Sequence, residues 1–113
     1  MMKHAISVTR PSADALRLLG AQIHEARIAR GLTVNDTAGR LGIDHRTLRT
    51  VEQGSPKVAI GTVFNGAFLL GVDLFGLDPE ELAAARRRGE DTLALLPRRV
   101  RPRTGGDDDG IDF

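Results

Sequence analysis

A short segment at residues 45–53 carries several hydrogen-bond donors at helical spacing. When Ile43, Leu48 and Val51 turn inward, the opposite face of this predicted helix presents polar side chains to its surroundings. These side chains are His45, Arg46, Arg49, Thr50 and Gln53, and we add the neighbouring Thr47 to the candidate set. Arginine can donate two hydrogen bonds to guanine O6 and N7, and the other side chains can contact base edges or phosphates. The chemistry indicated is recognition of double-stranded DNA.

The first turn of such a helix reaches deepest into the major groove, so we rank Arg46 and His45 first. His45 is equally suited to donate to a phosphate and to read a base. The alternative is a solvated, charged helix surface, which is the commoner environment of an arginine. The elements around residues 45–53 decide between these two interpretations.

The residues before this segment are typical of a helix-turn-helix. Thr33 can cap a short helix with Asp36 three residues later, and Asp44 can cap the next helix. Between the two helices, Gly42 can adopt the positive φ that a tight turn needs. Ala38 is small enough to let the two helices approach. The segment therefore predicts two short helices that hold residues 45–53 on a scaffold.

Thr37 is the one departure from this pattern, because an aliphatic residue is usual at its position. An ordinary helical hairpin in a small bundle would also place a glycine in its turn. That alternative stays open on these residues alone.

Further helices are predicted on both sides. Ser12 can cap a first helix that stops at Gly31, a fourth helix begins near Ile60, and Asp78 caps a last helix that reaches Arg88. The prediction is a compact all-α protein of five to six helices. We divide the chain into an N-terminal extended segment (1–11), a helix-turn-helix DNA-binding domain (12–77), a C-terminal helix that is a candidate for dimerisation (78–96) and a disordered tail (97–113).

The composition agrees with a helical protein and gives little basis for catalysis. The 113 residues include four Phe but no Tyr, Trp or Cys, which predicts an aliphatic core and argues against a β-sandwich. His4 and His24 have no partners at metal-ligand spacing, and no glycine-rich phosphate loop is present. The carboxylates at 107–109 lie in the tail, where no catalytic geometry can be held. We expect no enzyme activity, no catalytic residue, no metal and no cofactor.

No apolar run approaches the roughly 18 residues that would span a bilayer. The start Met1-Met2-Lys3-His4 is not followed by the apolar stretch of a signal peptide. We therefore expect a cytoplasmic, nucleoid-associated protein with no membrane partner.

Several segments together resemble the Cro/C1 or Xre-type helix-turn-helix regulators of bacteria and phages. The matching segments, all within residues 19–77, are Leu19–Arg27, Gly31–Thr33, Leu41–Ile43, Thr47–Leu48 and Val51–Gly54. The resemblance implies a lambda-repressor-like fold, a homodimer and repression of transcription at an operator. It also implies an ion pair between Arg27 and Glu52 that fixes the recognition helix on the scaffold. Val34 stands where this family often has a glutamine that touches a phosphate, so that contact is not carried over.

A second resemblance concerns residues 58–62, residues 95–101 and the acidic-aromatic C-terminus, which are similar to those of HipB-like antitoxins. It implies an antitoxin that binds a HipA-like kinase toxin and autoregulates its operon. Two alternatives remain, namely a phage-type or housekeeping Xre repressor without a toxin, and a protein-interaction module built on a helix-turn-helix fold.

Charge is segregated along the chain. Residues 1–57 hold nine Lys or Arg and five Asp or Glu, whereas residues 58–113 hold seven and ten. A basic first half suggests a polyanionic partner such as DNA. In the tail, an arginine cluster precedes acidic residues that can steer to a basic cleft of a toxin and anchor an apolar side chain there. The candidate toxin contacts are Asp107, Asp108, Asp109, Ile111 and Phe113. The alternative is that the arginine cluster grips phosphates beside the operator.

Overall fold

The computed structural model describes residues 7–100 and 102, and every regular element within them is helical. The elements are α1 (Arg10–Ala29), α2 (Val34–Leu41), α3 (His45–Glu52), α4 (Ile60–Leu70), a 3-10 turn (Leu74–Gly76) and α5 (Pro79–Ala94). The all-α prediction is confirmed. The candidate toxin contacts Asp107, Asp108, Asp109, Ile111 and Phe113 lie outside the described residues.

The first helix begins three residues earlier than predicted. Its N-cap is Thr9 rather than Ser12, and the Thr9 hydroxyl accepts a hydrogen bond from the Ser12 amide at 3.3 Å. Pro11 fits in the first turn because the amides there have no partner within the helix. Ser12 is therefore a first-turn residue, and α1 already includes Arg10 and Pro11, which were predicted to be extended.

The short helices α2 and α3 depend on their caps, since eight residues form a marginal helix in isolation. The Asp36 amide donates to the Thr33 hydroxyl at 3.0 Å, and the Thr33 amide donates to the Asp36 carboxylate at 3.3 Å. Gly42 ends α2 with a φ of 69°, and the Asp44 carboxylate accepts from the Arg46 amide at the start of α3. The predicted helix-turn-helix is confirmed, with its capping box and glycine turn.

The core lies where α1, α3 and α4 meet. It consists of Ile23, Val51, Val63, Ala67 and Leu70, and Leu48 of α3 is also fully buried. Burial of aliphatic side chains of this size stabilises a fold by about 1.5–3 kcal/mol each. The core therefore holds α3 by its inner face and leaves its outer face unused by packing.

Gly20 permits a close approach between α1 and the end of α3. A methyl group on its Cα would lie 2.7 Å from the carbonyl oxygens of both Val51 and Glu52. Backbone atoms cannot move aside as a flexible side chain can, so any larger residue would push the two helices apart. Gly20 thus determines how closely α3 sits against α1.

The chain divides into two compact units, one ending at Pro79 and the other beginning at Glu80. In the first unit, the rings of Phe64 and Phe75 pack edge to face with their centroids 6.2 Å apart. This contact joins α4 to the 3-10 turn that follows it.

In the second unit, α5 is longer than the predicted helix. It continues without interruption to Ala94, whereas the sequence predicts a helix to Arg88 and an added turn at 90–96 within the C-terminal helical region 78–96. Arg86 and Glu90 form an exposed ion pair across one turn, with Nη1 and Oε1 2.8 Å apart. Pairs at this spacing favour a continuous helix by a few tenths of a kcal/mol, roughly 0.2–0.5.

Candidate nucleic-acid interface

The helix α3 has a buried face and an exposed face. Leu48 and Val51 belong to the core, so the opposite side of the helix faces outward. Four of the predicted DNA-contacting residues are exposed, namely His45, Arg46, Arg49 and Gln53, whereas Thr47 and Thr50 are half-buried at the edge. The predicted donors with long side chains therefore share one solvent-facing surface.

The hydroxyl of Thr50 is already engaged within the helix. It donates to the carbonyl oxygen of Arg46, one turn earlier, at 2.8 Å. Thr50 consequently offers a methyl group and an acceptor to a ligand rather than a free donor. This is a weaker role than sequence spacing alone indicates.

At the start of α3, Asp44 organises the residues that follow it. Its Oδ1 accepts from the Arg46 amide at 3.2 Å and lies 3.3 Å from Nδ1 of His45. Because Nδ1 of His45 faces the carboxylate, Nε2 is the ring nitrogen left to meet a ligand. The cap therefore fixes both the first turn and the histidine beside it.

At the other end of α3, Glu52 is tied to α1 by a bidentate ion pair. Arg27 donates from Nε to Oε2 at 2.6 Å and from Nη2 to Oε1 at 3.1 Å, and only 7% of each side chain is exposed. Its Nη1 also donates to the Leu32 carbonyl oxygen at 2.8 Å. The pair that the resemblance implies is present, and Arg27 joins α1, α3 and the connection that leads to α2.

The electrostatics keep both partners charged at neutral pH. The hydrogen bond from Arg27 to Glu52 raises the pKa of the guanidinium above its ordinary value, although burial acts against it. Burial by itself raises the pKa of the Glu52 carboxyl, but hydrogen bonds from Arg27 and His24 outweigh this effect. The net result is a Glu52 pKa below its ordinary value of 4.5.

His24 joins this ion pair, and sequence reasoning missed it. Its Nδ1 lies 2.7 Å from Oε1 of Glu52, which is 28 positions away in sequence, and 3.3 Å from Nη2 of Arg27. The absence of partners at metal-ligand spacing led us to interpret His24, like His4, as a surface or packing residue. The signal that was present is its position three residues before Arg27, which places both side chains on the same side of α1.

A cavity of about 400 Å³ opens beside this cluster. Its walls come from α1, the first residue of α2 and the last turn of α3, and its lining residues are His24, Arg27, Val34, Arg49, Glu52 and Gln53. Arg49 and Gln53, the C-cap residue of α3, also belong to the predicted DNA-reading face, so the cavity adjoins that face. Three of its six lining side chains are basic or can become so, against one carboxylate that is already paired.

Comparison with protein families identifies the class of domain. Residues 18–85 match a family described as a helix-turn-helix domain, and this match covers more than half of the chain. The chain belongs to this helix-turn-helix family, and the DNA-binding character of such domains agrees with the surface on α3. No curated protein and no solved structure gives a significant match.

Two further properties concern the described part of the chain only. Within residues 7–100 and 102, no group of three or more His, Asp or Glu side chains is arranged to hold a metal ion. None of the five α-helices there combines the length and apolar character needed to cross a bilayer.

Proposed function

We propose that the protein is a sequence-specific transcriptional repressor that inserts α3 into the major groove of its operator. One observation supports this proposal. The helix α3 exposes the donors Arg46 and Arg49 on its outer face, and contacts on its inner face hold it rigidly. The buried pair between Arg27 and Glu52 and the close contact at Gly20 both act on α3. A side chain that must donate two hydrogen bonds to one base needs such a fixed support.

We propose further that the protein binds as a homodimer to an inverted repeat. One recognition helix contacts only a few base pairs, whereas a two-fold pair doubles the contact and places the two helices roughly 34 Å apart. Leu93 of α5 and Leu96, which follows that helix, are each more than half exposed and supply apolar surface for a second copy. We therefore take α5 and the residues after it as the dimerisation region.

The decisive experiment is a binding titration with a duplex selected from random sequences. We expect the full-length protein to bind it at least a hundredfold more tightly than a scrambled duplex, and Arg46→Ala to weaken specific binding by about 1–3 kcal/mol and relax the preference at one base pair. Arg10→Ala, at the far end of α1, is the matched control and should leave specific binding unchanged. Equal affinity for the selected and scrambled duplexes would contradict the proposal that residues 45–53 recognise the base sequence.

A finer proposal is that this repressor is the antitoxin of a HipA-like kinase and autoregulates their shared operon. Its support is the similarity of residues 58–62 and 95–101 to HipB-like antitoxins. In this proposal the residues 107–113 help to hold or block the toxin, as an acidic segment with apolar anchors suits a basic cleft.

Deletion of residues 105–113 separates this role from DNA binding. The deletion should leave operator affinity unchanged or slightly higher, and weaken binding to a kinase encoded beside this gene by tenfold or more, measured by calorimetry. Unchanged affinity for the kinase would mean that the kinase binds to the folded domain and not to residues 105–113. Operator binding with no kinase partner at all would favour a repressor without a toxin, and the absence of salt-sensitive DNA binding would favour a protein-interaction module.

A further inference from the structure

We propose that His24 is a proton-dependent contact to a backbone phosphate of the DNA, so that operator binding takes up a proton at this site. The inference rests on the proposed function, because it assumes that α3 lies in the major groove. It assigns a specific role to a residue outside the helix-turn-helix segment.

The Glu52 carboxylate fixes which ring nitrogen of His24 carries a hydrogen. Nδ1 lies 2.7 Å from Oε1 of Glu52, a charged acceptor, so Nδ1 is the donor in this contact. The neighbouring Nη2 of Arg27 is itself a donor and binds the same oxygen at 3.1 Å. Nε2 of His24 therefore belongs to the outward half of the ring, on a side chain that is 53% exposed.

The position of His24 relative to α3 points to a phosphate rather than a base. An α-helix with its side chains is about 10–12 Å across and fills a major groove about 12 Å wide. A side chain on an adjacent helix then meets the wall of the groove, which is the sugar-phosphate backbone. His24 lies on α1 and shares its cavity with Arg49 and Gln53 of α3, which places it at this wall.

The charges that face His24 favour an anion. From α3, Glu52 and Arg49 face it, from α1 itself Arg27 does, and α2 contributes the uncharged Val34 to the cavity. Because Glu52 is neutralised by Arg27, Arg49 is the remaining cation that lines the cavity beside His24. Protonation of His24 adds a second positive charge at the mouth of the cavity.

The proton dependence follows from the tautomer. A neutral imidazole with its hydrogen on Nδ1 presents a lone pair at Nε2, which repels a phosphate oxygen. A protonated imidazole donates from Nε2 instead and forms a charge-assisted hydrogen bond. Operator affinity should therefore fall as the pH rises from 6.0 to 8.0.

The test is an anisotropy titration of the full-length protein with its selected duplex at pH 6.0 and pH 8.0, at constant ionic strength. We expect wild-type affinity to fall about tenfold per protomer between the two values. His24→Gln should bind at pH 8.0 as the wild type does but lose most of this pH dependence, and His24→Lys, with a fixed charge, should retain tight binding at pH 8.0. At pH 6.0 the salt dependence of His24→Gln should be shallower than that of the wild type by about one phosphate contact per protomer.

The comparison is repeated in a His45→Gln background, because Nδ1 of His45 also faces a carboxylate and this second histidine of the interface has a pH dependence of its own by the same argument. In that background, affinity should still fall between pH 6.0 and 8.0 when His24 is present, and the fall should disappear when His24→Gln is added. The proposal is overturned if wild-type affinity is the same at both pH values, or if His24→Gln retains the full pH dependence. Neither outcome resembles failure of the proposed function, which would appear as a lack of sequence-specific binding at every pH.

Discussion

Thr37 is fully buried in α2, and its hydroxyl has no hydrogen-bond partner among the described residues. Removing a hydroxyl from water without a compensating hydrogen bond costs about 1–3 kcal/mol. Valine has nearly the same shape and also branches at Cβ. We therefore expect Thr37→Val to raise the free energy of unfolding by about 1 kcal/mol, measured by urea denaturation.

Thr50→Val is the matched control for this substitution. The Thr50 hydroxyl donates to the Arg46 carbonyl oxygen, so its loss removes a hydrogen bond instead of an unsatisfied group. We expect no gain in stability from Thr50→Val. A gain of equal size in both variants would show that the added methyl group stabilises either helix, and that the unsatisfied hydroxyl at position 37 is not the cause.

Glu52 should make the stability of the protein depend on acid pH. Its pKa is lowered in the folded state, so it contributes stability above its ordinary value of 4.5 and loses that contribution as the pH falls through the folded value. Glu52→Gln leaves Arg27 without its charged partner and should cost about 3 kcal/mol at pH 7. The difference between wild type and Glu52→Gln should shrink when unfolding is measured at pH 3.

Glu25→Gln removes an exposed carboxylate from the same helix, α1, and serves as the comparison. It should follow the acid dependence of the wild type. If the difference between wild type and Glu52→Gln is as large at pH 3 as at pH 7, the ion pair is not the group that titrates.

At the scale of elements, the contact between α1 and α3 depends on the absence of a side chain at position 20. Gly20→Ala would place Cβ 2.7 Å from two backbone carbonyl oxygens. The helices must separate to accommodate it, and overpacking of this kind costs about 1–3 kcal/mol. We expect a lower Tm and weaker operator binding, because α3 can no longer pack closely against α1.

Gly39→Ala provides the opposite case within α2. A Cβ at this position meets no atom within 4 Å, and the residue lies inside a helix. Alanine should therefore stabilise α2 by about 0.5–1 kcal/mol relative to glycine. Destabilisation of similar size in both variants would mean that helical glycines are generally required here and that the close approach at Gly20 is not special.

Local signals allowed most element boundaries to be predicted, and long-range contacts explain the remainder. The caps at Thr33 and Asp44 and the turn at Gly42 depend on residues within four positions, so sequence spacing suffices to find them. The predicted start of α1 was wrong. Thr9 and Ser12 are both suitable N-cap residues, and the geometry of the first turn decides which of them caps the helix. The role of His24 depends on a residue 28 positions away, which no local pattern encodes.

At the scale of the whole molecule, the exposed leucines of the C-terminal region make the proposed dimer testable. Leu93 is 65% exposed on α5, and replacing it with a charge should oppose burial against a second copy. We expect Leu93→Glu to shift the full-length protein from dimer to monomer in light scattering and to weaken operator binding. The variant should keep the helix content of the wild type in circular dichroism, because the substitution lies outside the helix-turn-helix domain.

Leu18→Glu is the control, since Leu18 is 60% exposed on α1 and outside the proposed dimerisation region. It should leave the molecular mass in solution unchanged. An undiminished Leu93→Glu dimer would exclude α5 as the interface and direct attention to other exposed apolar side chains, such as Phe68 of α4.

The division of α3 into an anchored face and an outward face has a consequence for how regulators of this kind diverge. The exposed side chains at 45, 46, 49 and 53 contribute little to the core, and surface substitutions usually change stability by less than about 0.5 kcal/mol. Under the proposed function, one copy of a duplicated gene can therefore acquire a new operator preference by a few substitutions without crossing the stability threshold. The buried residues that hold α3 then stay the same, and the exposed residues that determine the target sequence change.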